Sequence, residues 1–260
     1  MTGVEAAEAP ITSPSPHVSS SFRRSGVLVT FPDPLPYSVA WALQQQCHAE
    51  RLSGRRADTL LLLEHLPVYT AGRATRPSHL RPEMASVDDP PVPIEAVNRG
   101  GSVTYHGPGQ LVAYPIVMLS QYAPGAKAYV HMLEEVVIRT LVRFGLHGHR
   151  VAKTPGIWLS DRTGEAKIAS IGARIDRGIT LHGLALNVSN DLRPFSHIVP
   201  CGLDGCRMTS LEVRLGTPVS MPEVLEHMVN EFSAVFRLEW TVRISDGLRM
   251  TAPVAASEYR

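Results

Sequence analysis

The sequence predicts a single α+β domain built on a mixed sheet. Three observations carry that expectation. Short strand-like apolar runs are interleaved irregularly with two or three amphipathic helical stretches, unlike the strict alternation of a doubly wound fold. The 260 residues suit one large domain or two small ones, and a hydrophobic fraction of 44% is enough for a substantial core. No internal repeat or low-complexity block interrupts the chain beyond its N-terminal segment.

In order, residues 1–25 are rich in Ser, Pro and Ala and are expected to form a disordered extension; Glu5 and Glu8 sit where a mitochondrial transit peptide would avoid acids. The catalytic domain is expected to span 26–245. After Pro34 and Pro36, the apolar positions Val39, Leu43 and Cys47 recur like one face of a helix over 37–52 that stops at Gly54. The run 59–63 is short and continuously apolar, as in a strand buried on both faces, and Pro67 ends it. The proline-rich stretch 78–93 reads as an irregular loop.

Residues 112–118 read as another strand, in which Pro115 points to an edge or a bulge. The longest helix is expected over 128–146, with Val130, Leu133, Val137, Leu141 and Phe144 along one face and Gly145 near its end. Two strand-like runs, 168–175 and 179–188, are joined by Asp176, Arg177 and Gly178, a loop of hairpin length with glycine where positive φ is required. Pro222 opens a final amphipathic helix through Phe236 with Ser220 as its cap, 238–244 forms a closing strand, and 246–260 is a loose tail.

Lysine plus arginine number 25 against 24 acidic residues, so no whole-surface field recruits nucleic acid or an anionic membrane. No apolar run is long enough to cross a membrane as a helix, and the N-terminus lacks the basic region and apolar stretch of a secretory signal, so a cytoplasmic location is expected. Three cysteines, Cys47, Cys201 and Cys206, are an odd set that argues for a reducing compartment and for thiol chemistry.

Three clusters stand out. The segment RGGSVTYHGPGQLVAYP from Arg99 to Pro115 holds four glycines, which suit either tight turns or backbone that approaches a ligand. In KIASIGARI, Lys167 precedes an apolar strand; it either reaches water from the strand end or, if desolvated, exchanges protons. In HIVPCGLDGCRMTSL, Pro200 and Gly202 fix a turn around Cys201, which is either a small buried hydrophobe or a presented thiol. A zinc site from His197, Cys201 and Cys206 would lack a fourth ligand and any CxxC pair. His65, His106 and His182 are further candidates, to be promoted only by proximity to Cys201.

Taken in order, EHLPVYTAGR, RGGSVTYHGPGQLVAYP, PGIW, KIASIGARI, HGLALNV and PCGL resemble the lipoyl(octanoyl) transferase family over about residues 25 to 240. The resemblance implies a fold like the catalytic domain of biotin and lipoate protein ligases, with a larger mixed sheet, a smaller sheet and flanking helices. It implies Cys201 as the nucleophile that carries an octanoyl thioester and Lys167 as the group that favours the thiolate and manages protons. Substrate contacts fall on Arg99, Gly100, Gly101, Ser102, Val103, Thr104, Tyr105 and His106, on Ser170, Ile171 and Gly172, and on Gly183, Leu184 and Ala185. No metal or cofactor is implied. The donor would be octanoyl-acyl carrier protein, and the acceptors lipoyl domains of 2-oxoacid dehydrogenase complexes and the glycine-cleavage H protein. Cys206 lies outside the family pattern. The rival readings are an ATP-dependent lipoate ligase, a thiol hydrolase and a non-catalytic carrier-binding module; Arg73, Arg76, Arg99, Arg150 and Arg174 are candidate contacts for an acidic carrier.

Overall fold

The computed structural model describes residues 24–81 and 91–244, the last two by backbone alone. Positions 82–90 of the expected loop, most of the expected N-terminal extension and the expected tail lie outside the described residues. The first strand, β1 (Arg24–Thr30), had no clear pattern in the sequence and begins inside the segment read as extension. Helix α1 (Tyr37–Leu52) follows, then β2 (Thr59–Leu63), β3 (Val68–Ala71), β4 (Ile94–Ala96), β5 (Val103–His106) and β6 (Gln110–Ile116). Helix α2 (Ala126–Arg143) leads to an antiparallel meander of β7 (His149–Val151), β8 (Thr154–Asp161), β9 (Gly164–Asp176) and β10 (Ile179–Asn187). A short helix α3 (Leu211–Leu215), helix α4 (Met221–Phe236) and β11 (Leu238–Ile244) complete the chain.

Eight strands form one mixed sheet in the order β11-β1-β2-β6-β10-β9-β8-β7, and β4-β3-β5 form a small second sheet. The expected α+β architecture of a larger and a smaller sheet with flanking helices is therefore present. On one face of the large sheet, Leu133, Val137 and Leu141 of α2 and Val224, Met228 and Phe232 of α4 are buried against Leu60, Leu62, Leu111 and Leu186. On the other, Ala40, Leu43 and Cys47 of α1 pack on Leu61, Leu63, Val112 and Ile116, so Cys47 is a core residue whose thiol burial pushes up to about 11. The period of 3.6 in the helices and the five buried leucine-rich positions of β2 thus did what the sequence required of them. Among the described residues, no helix is long and apolar enough to cross a membrane.

Two local expectations are corrected. Ser220 precedes α4 but its side chain makes no capping hydrogen bond. Pro115 is not at an edge: β6 lies between β2 and β10 in the sheet interior. The proline removes one ladder donor, and His182, facing it on β10, adopts a left-handed φ of 57°. His182 N then donates to Gln44 Oε1 of α1 at 2.8 Å, while Thr180 Oγ1 donates to the Pro115 carbonyl at 2.6 Å and accepts from Val117 N at 3.0 Å. Side chains replace the lost backbone bonds, so His182 N, Val117 N and the Pro115 carbonyl stay paired where the ladder breaks in the interior. The β9–β10 hairpin turns through Arg177 and Gly178, both with positive φ (48° and 81°), the combination that matches the twist of the strands it joins.

Candidate active site

A cavity of about 230 Å³ lies where the loop before β5 approaches β9 and β10. The joint is a backbone bond from Gly100 N to Ala173 O at 3.1 Å. Gly100, Gly101, Ser102, Thr104 and His106 line it from the small sheet side, with Arg99. Strand alternation turns Val103 and Tyr105 the other way, into the cluster of Tyr69, Phe195 and Ile198, so the structure does not bring these two to the cavity. Ser170, Ile171 and Gly172 of β9 and Gly183, Leu184 and Ala185 of β10 line the opposite wall.

Cys201 sits in a single turn, Pro200–Gly202, with φ 58° and ψ 14°. Proline fixes one side of the turn, Gly202 takes φ 70° on the other, and Val199 N is tied to His79 O at 2.8 Å. A left-handed non-glycine residue costs on the order of 1–2 kcal/mol, offset here by the bonds that hold the turn. The result presents Sγ to the cavity with the residue only partly buried.

Facing it is Lys167, 1% exposed although it is a lysine. Its Nζ donates to Cys201 Sγ at 3.1 Å and to the Pro155 carbonyl at 2.8 Å, and lies 5.4 Å from the centroid of the Trp158 ring. The lysine is therefore not a strand-end residue reaching water. Room for it depends on Gly156, where an added Cβ would stand 2.5 Å from Lys167 Cε and against the Ala169 carbonyl, at φ 125°. Gly156 N is itself held by buried Glu134 at 3.2 Å. Ser170 Oγ lies 3.8 Å from Sγ.

Arg99 supplies a second buried cation. Its guanidinium donates to the carbonyls of Thr70, Gly100 and Ser102 at 2.6 to 3.0 Å and to Thr70 Oγ1 at 2.8 Å, and no carboxylate among the described residues pairs with it. Carbonyl dipoles solvate the charge, and Arg99 and Lys167 make the cavity a place that favours developing negative charge.

None of the three candidate histidines hydrogen-bonds to Cys201. His65 bonds the Leu35 carbonyl and Tyr114 hydroxyl, and burial lowers its pKa to about 4. His106 meets Gln110 Oε1 at 2.6 Å, and burial, then the neighbouring His65, push it well below the usual range. His182 stacks on Trp41 with centroids 5.0 Å apart and meets Asn98 Oδ1 at 2.8 Å; burial, then Arg99, lower it to about 3. His106 and His182 line the cavity, and Lys167 is the side chain whose nitrogen bonds the thiol. His197 turns to the Tyr69 hydroxyl at 3.1 Å in the small-sheet cluster. Cys206 is half-buried, with Sγ 3.9 Å from Met208 Sδ, and burial, then Cys201, push its thiol up to about 11.

Tyr37, Tyr114, Val130, Pro155 and Leu203 also line the cavity and were not singled out by the sequence. Tyr114, Pro155 and Leu203 lay inside noted motifs and Val130 on the noted helix face, but nothing local aimed any of them, or Tyr37, at the cavity, which they reach through the packing of the elements that carry them. The glycine-rich segment is mixed in purpose. Gly100 and Gly101 face the cavity, whereas a Cβ on Gly109 would stand 2.6 Å from Asn190 N and one on Gly107 would meet the Tyr105 ring, so those two serve packing.

Residues 36–233 match the lipoyl protein ligase A/B catalytic domain. The chain is 47% identical over 206 residues to an octanoyltransferase from Chloroflexus aurantiacus, covering 79% of this chain and 92% of that protein. It is 48% identical over 207 residues to an octanoyltransferase from Thermobifida fusca, covering 78% and 85% respectively. Among solved structures, a bipartite lipoate protein ligase from Thermoplasma acidophilum superposes with a TM-score of 0.65 at 17% identity, over 86% of this chain and 88% of that one. A lipoate-protein ligase A bound with ATP gives a TM-score of 0.58 at 18% identity, over 86% and 90%. These two show the shared fold.

Proposed function

Because the chain belongs to the octanoyltransferases of the lipoyl protein ligase A/B catalytic-domain family, we propose that it moves an octanoyl group from an acyl carrier protein to a lysine of a lipoyl domain through a thioester on Cys201. The observation that carries the route is the 3.1 Å contact of Lys167 Nζ with Cys201 Sγ in a cavity with apolar walls. An ammonium at that distance stabilises the thiolate that must attack.

The thiolate adds to the carbonyl carbon of the donor thioester, and the C–S bond to the carrier's arm breaks as the oxyanion collapses. The departing thiolate takes a proton from the Lys167 ammonium. One thioester replaces another, so the step is nearly balanced and needs no ATP. In the second half, the amine of the acceptor lysine attacks the Cys201 thioester, neutral Lys167 accepts the proton lost by that nitrogen, and Cys201 leaves as thiolate. The Lys167 N–H is committed to the Arg207 carbonyl at 2.8 Å and is no oxyanion donor. Val130, Ile171, Leu184 and Leu203 offer apolar contact to the acyl chain, whose six or so methylenes are worth at most about 5 kcal/mol at about 0.8 kcal/mol each.

The acceptors we propose are lipoyl domains of 2-oxoacid dehydrogenase complexes and the glycine-cleavage H protein, and the compartment is the cytoplasm, where the free thiols stay reduced. Transfer to a lipoyl domain, without ATP, tests the reading. Cys201→Ala should lower it at least about 1000-fold, on the scale of losing a nucleophile. Transfer that needs ATP and survives Cys201→Ala would instead make the chain a ligase; release of free octanoate would make it a hydrolase.

A further inference from the structure

A second hollow of about 450 Å³ adjoins the acyl cavity and shares Gly100, Val130 and Ala173 with it. Its lining carries two guanidinium groups, Arg73 and Arg174, with Asn98, and no acidic residue. Arginines near a surface are commonly just solvated, but two features set these apart. Both stand on fixed backbone: Arg73 N donates to Arg99 O at 3.1 Å and Ala74 N to Gly101 O at 3.0 Å, while Arg174 sits in the β9–β10 ladder opposite Leu181. Both charges are also weakly used. Arg73 has no side-chain partner among the described residues, and Arg174 reaches Asp176 only at 3.8 Å. The opening turn of α2 at Ala126 adds donors of the same sign, with no acidic residue and no side-chain cap there.

We infer that this hollow holds the phosphate of the 4′-phosphopantetheine arm on which the acyl donor is carried, between Arg73 and Arg174, so that the thioester is led over the Gly100–Ala173 joint to Cys201. The inference rests on the transferase reading above. An arm that leaves an acyl chain in the first cavity across the shared Gly100, Val130 and Ala173 enters the hollow lined by Arg73 and Arg174. The acidic surface of a carrier is a different partner for the same arginines, and small-molecule donors separate the two.

The test compares acylation of Cys201 by octanoyl-4′-phosphopantetheine and by octanoyl-pantetheine, which differ only in the phosphate. The expected ratio of kcat/KM is about 10-fold in favour of the phosphorylated donor, on the scale of two partly exposed charge contacts. In the double variant Arg73→Ala, Arg174→Ala, the ratio should fall to about 1, with an unchanged thermal melt showing that the fold is intact. The double lysine variant should keep part of the preference. A wild-type ratio near 1, including the case in which the double variant still weakens use of intact octanoyl-acyl carrier protein, assigns the arginines to the carrier's acidic face and overturns the inference. So does a preference that survives in the double variant. Failure of every donor to acylate the wild type removes the transferase reading and this inference with it.

Discussion

Replacing Gly156 by alanine tests whether the buried lysine acts through its position. The new methyl would stand 2.5 Å from Lys167 Cε and 3.1 Å from Nζ, against the Ala169 carbonyl, at a φ of 125° that side chains avoid. The lysine side chain moves aside, and because the Ala169 carbonyl at 2.4 Å is backbone, the β8–β9 pairing shifts with it. At 3.1 Å and an effective dielectric of about 20, an ammonium and a thiolate attract by about 5 kcal/mol; at a displaced separation of about 5 Å the figure is about 3 kcal/mol. The difference of about 2 kcal/mol corresponds to a roughly 30-fold slower acylation of Cys201. Backbone strain and overpacking should also lower folding stability by about 2–4 kcal/mol. Stopped-flow acylation on protein shown to be folded by its near-ultraviolet circular dichroism measures the first quantity and urea titration the second. If Gly156→Ala acylates at the wild-type rate, the close placement of Lys167 is not what activates the thiol.

Three further outcomes follow from the same geometry. His65 and His182 are neutral when folded, with pKa values lowered to about 4 and about 3, and return to about 6.5 on unfolding. The unfolded chain therefore binds more protons below that value, and stability falls as pH drops through 6.5 toward 4. At pH 5 each histidine should remove about 2 kcal/mol relative to neutral pH, and His65→Gln should cancel one such share in urea titrations at the two pH values. Thr180→Val, which leaves Val117 N and the Pro115 carbonyl without their partner, should cost about 2–3 kcal/mol in the same assay; a loss below about 0.5 kcal/mol would show that the interior ladder break needs no side-chain repair. Cys206→Ser should transfer octanoyl groups within about 2-fold of wild type, and a loss comparable to that of Cys201→Ala would move the nucleophile.

How much of this could be read from the chain depends on whether the cause was local. Helices α1, α2 and α4 and strands β2, β10 and β11 were legible because each repeats its apolar residues with the period of its own geometry, as Leu133, Val137 and Leu141 do. Strand β1 was not, since Gly26 weakens its pattern and is explained only by the Trp240 ring of β11, which an added Cβ would meet at 2.7 Å. Pro115 misled because the side chains that repair the ladder, Thr180 and Gln44, lie 65 positions after it and 71 positions before it. The small sheet of β3, β4 and β5 was expected only through the family resemblance; its strands of three or four residues are too short to show a period. Within the site, Pro200 and Gly202 announced a turn at Cys201. Lys167 looked ordinary on residue type alone, because what makes it unusual is the gap at Gly156 and the Trp158 ring, brought to it by β8–β9 pairing, and the Cys201 turn, brought to it from the segment after β10.

The proposed route takes octanoyl through Cys201 with Lys167 as its proton partner. Intact-protein mass spectrometry after incubation with octanoyl-acyl carrier protein, without ATP, measures it most directly. The wild type should gain one octanoyl group that is labile to hydroxylamine, absent in Cys201→Ala, slowed in Lys167→Ala, and discharged by an added lipoyl domain. No gain on the wild type, or a gain that persists in Cys201→Ala, would contradict it.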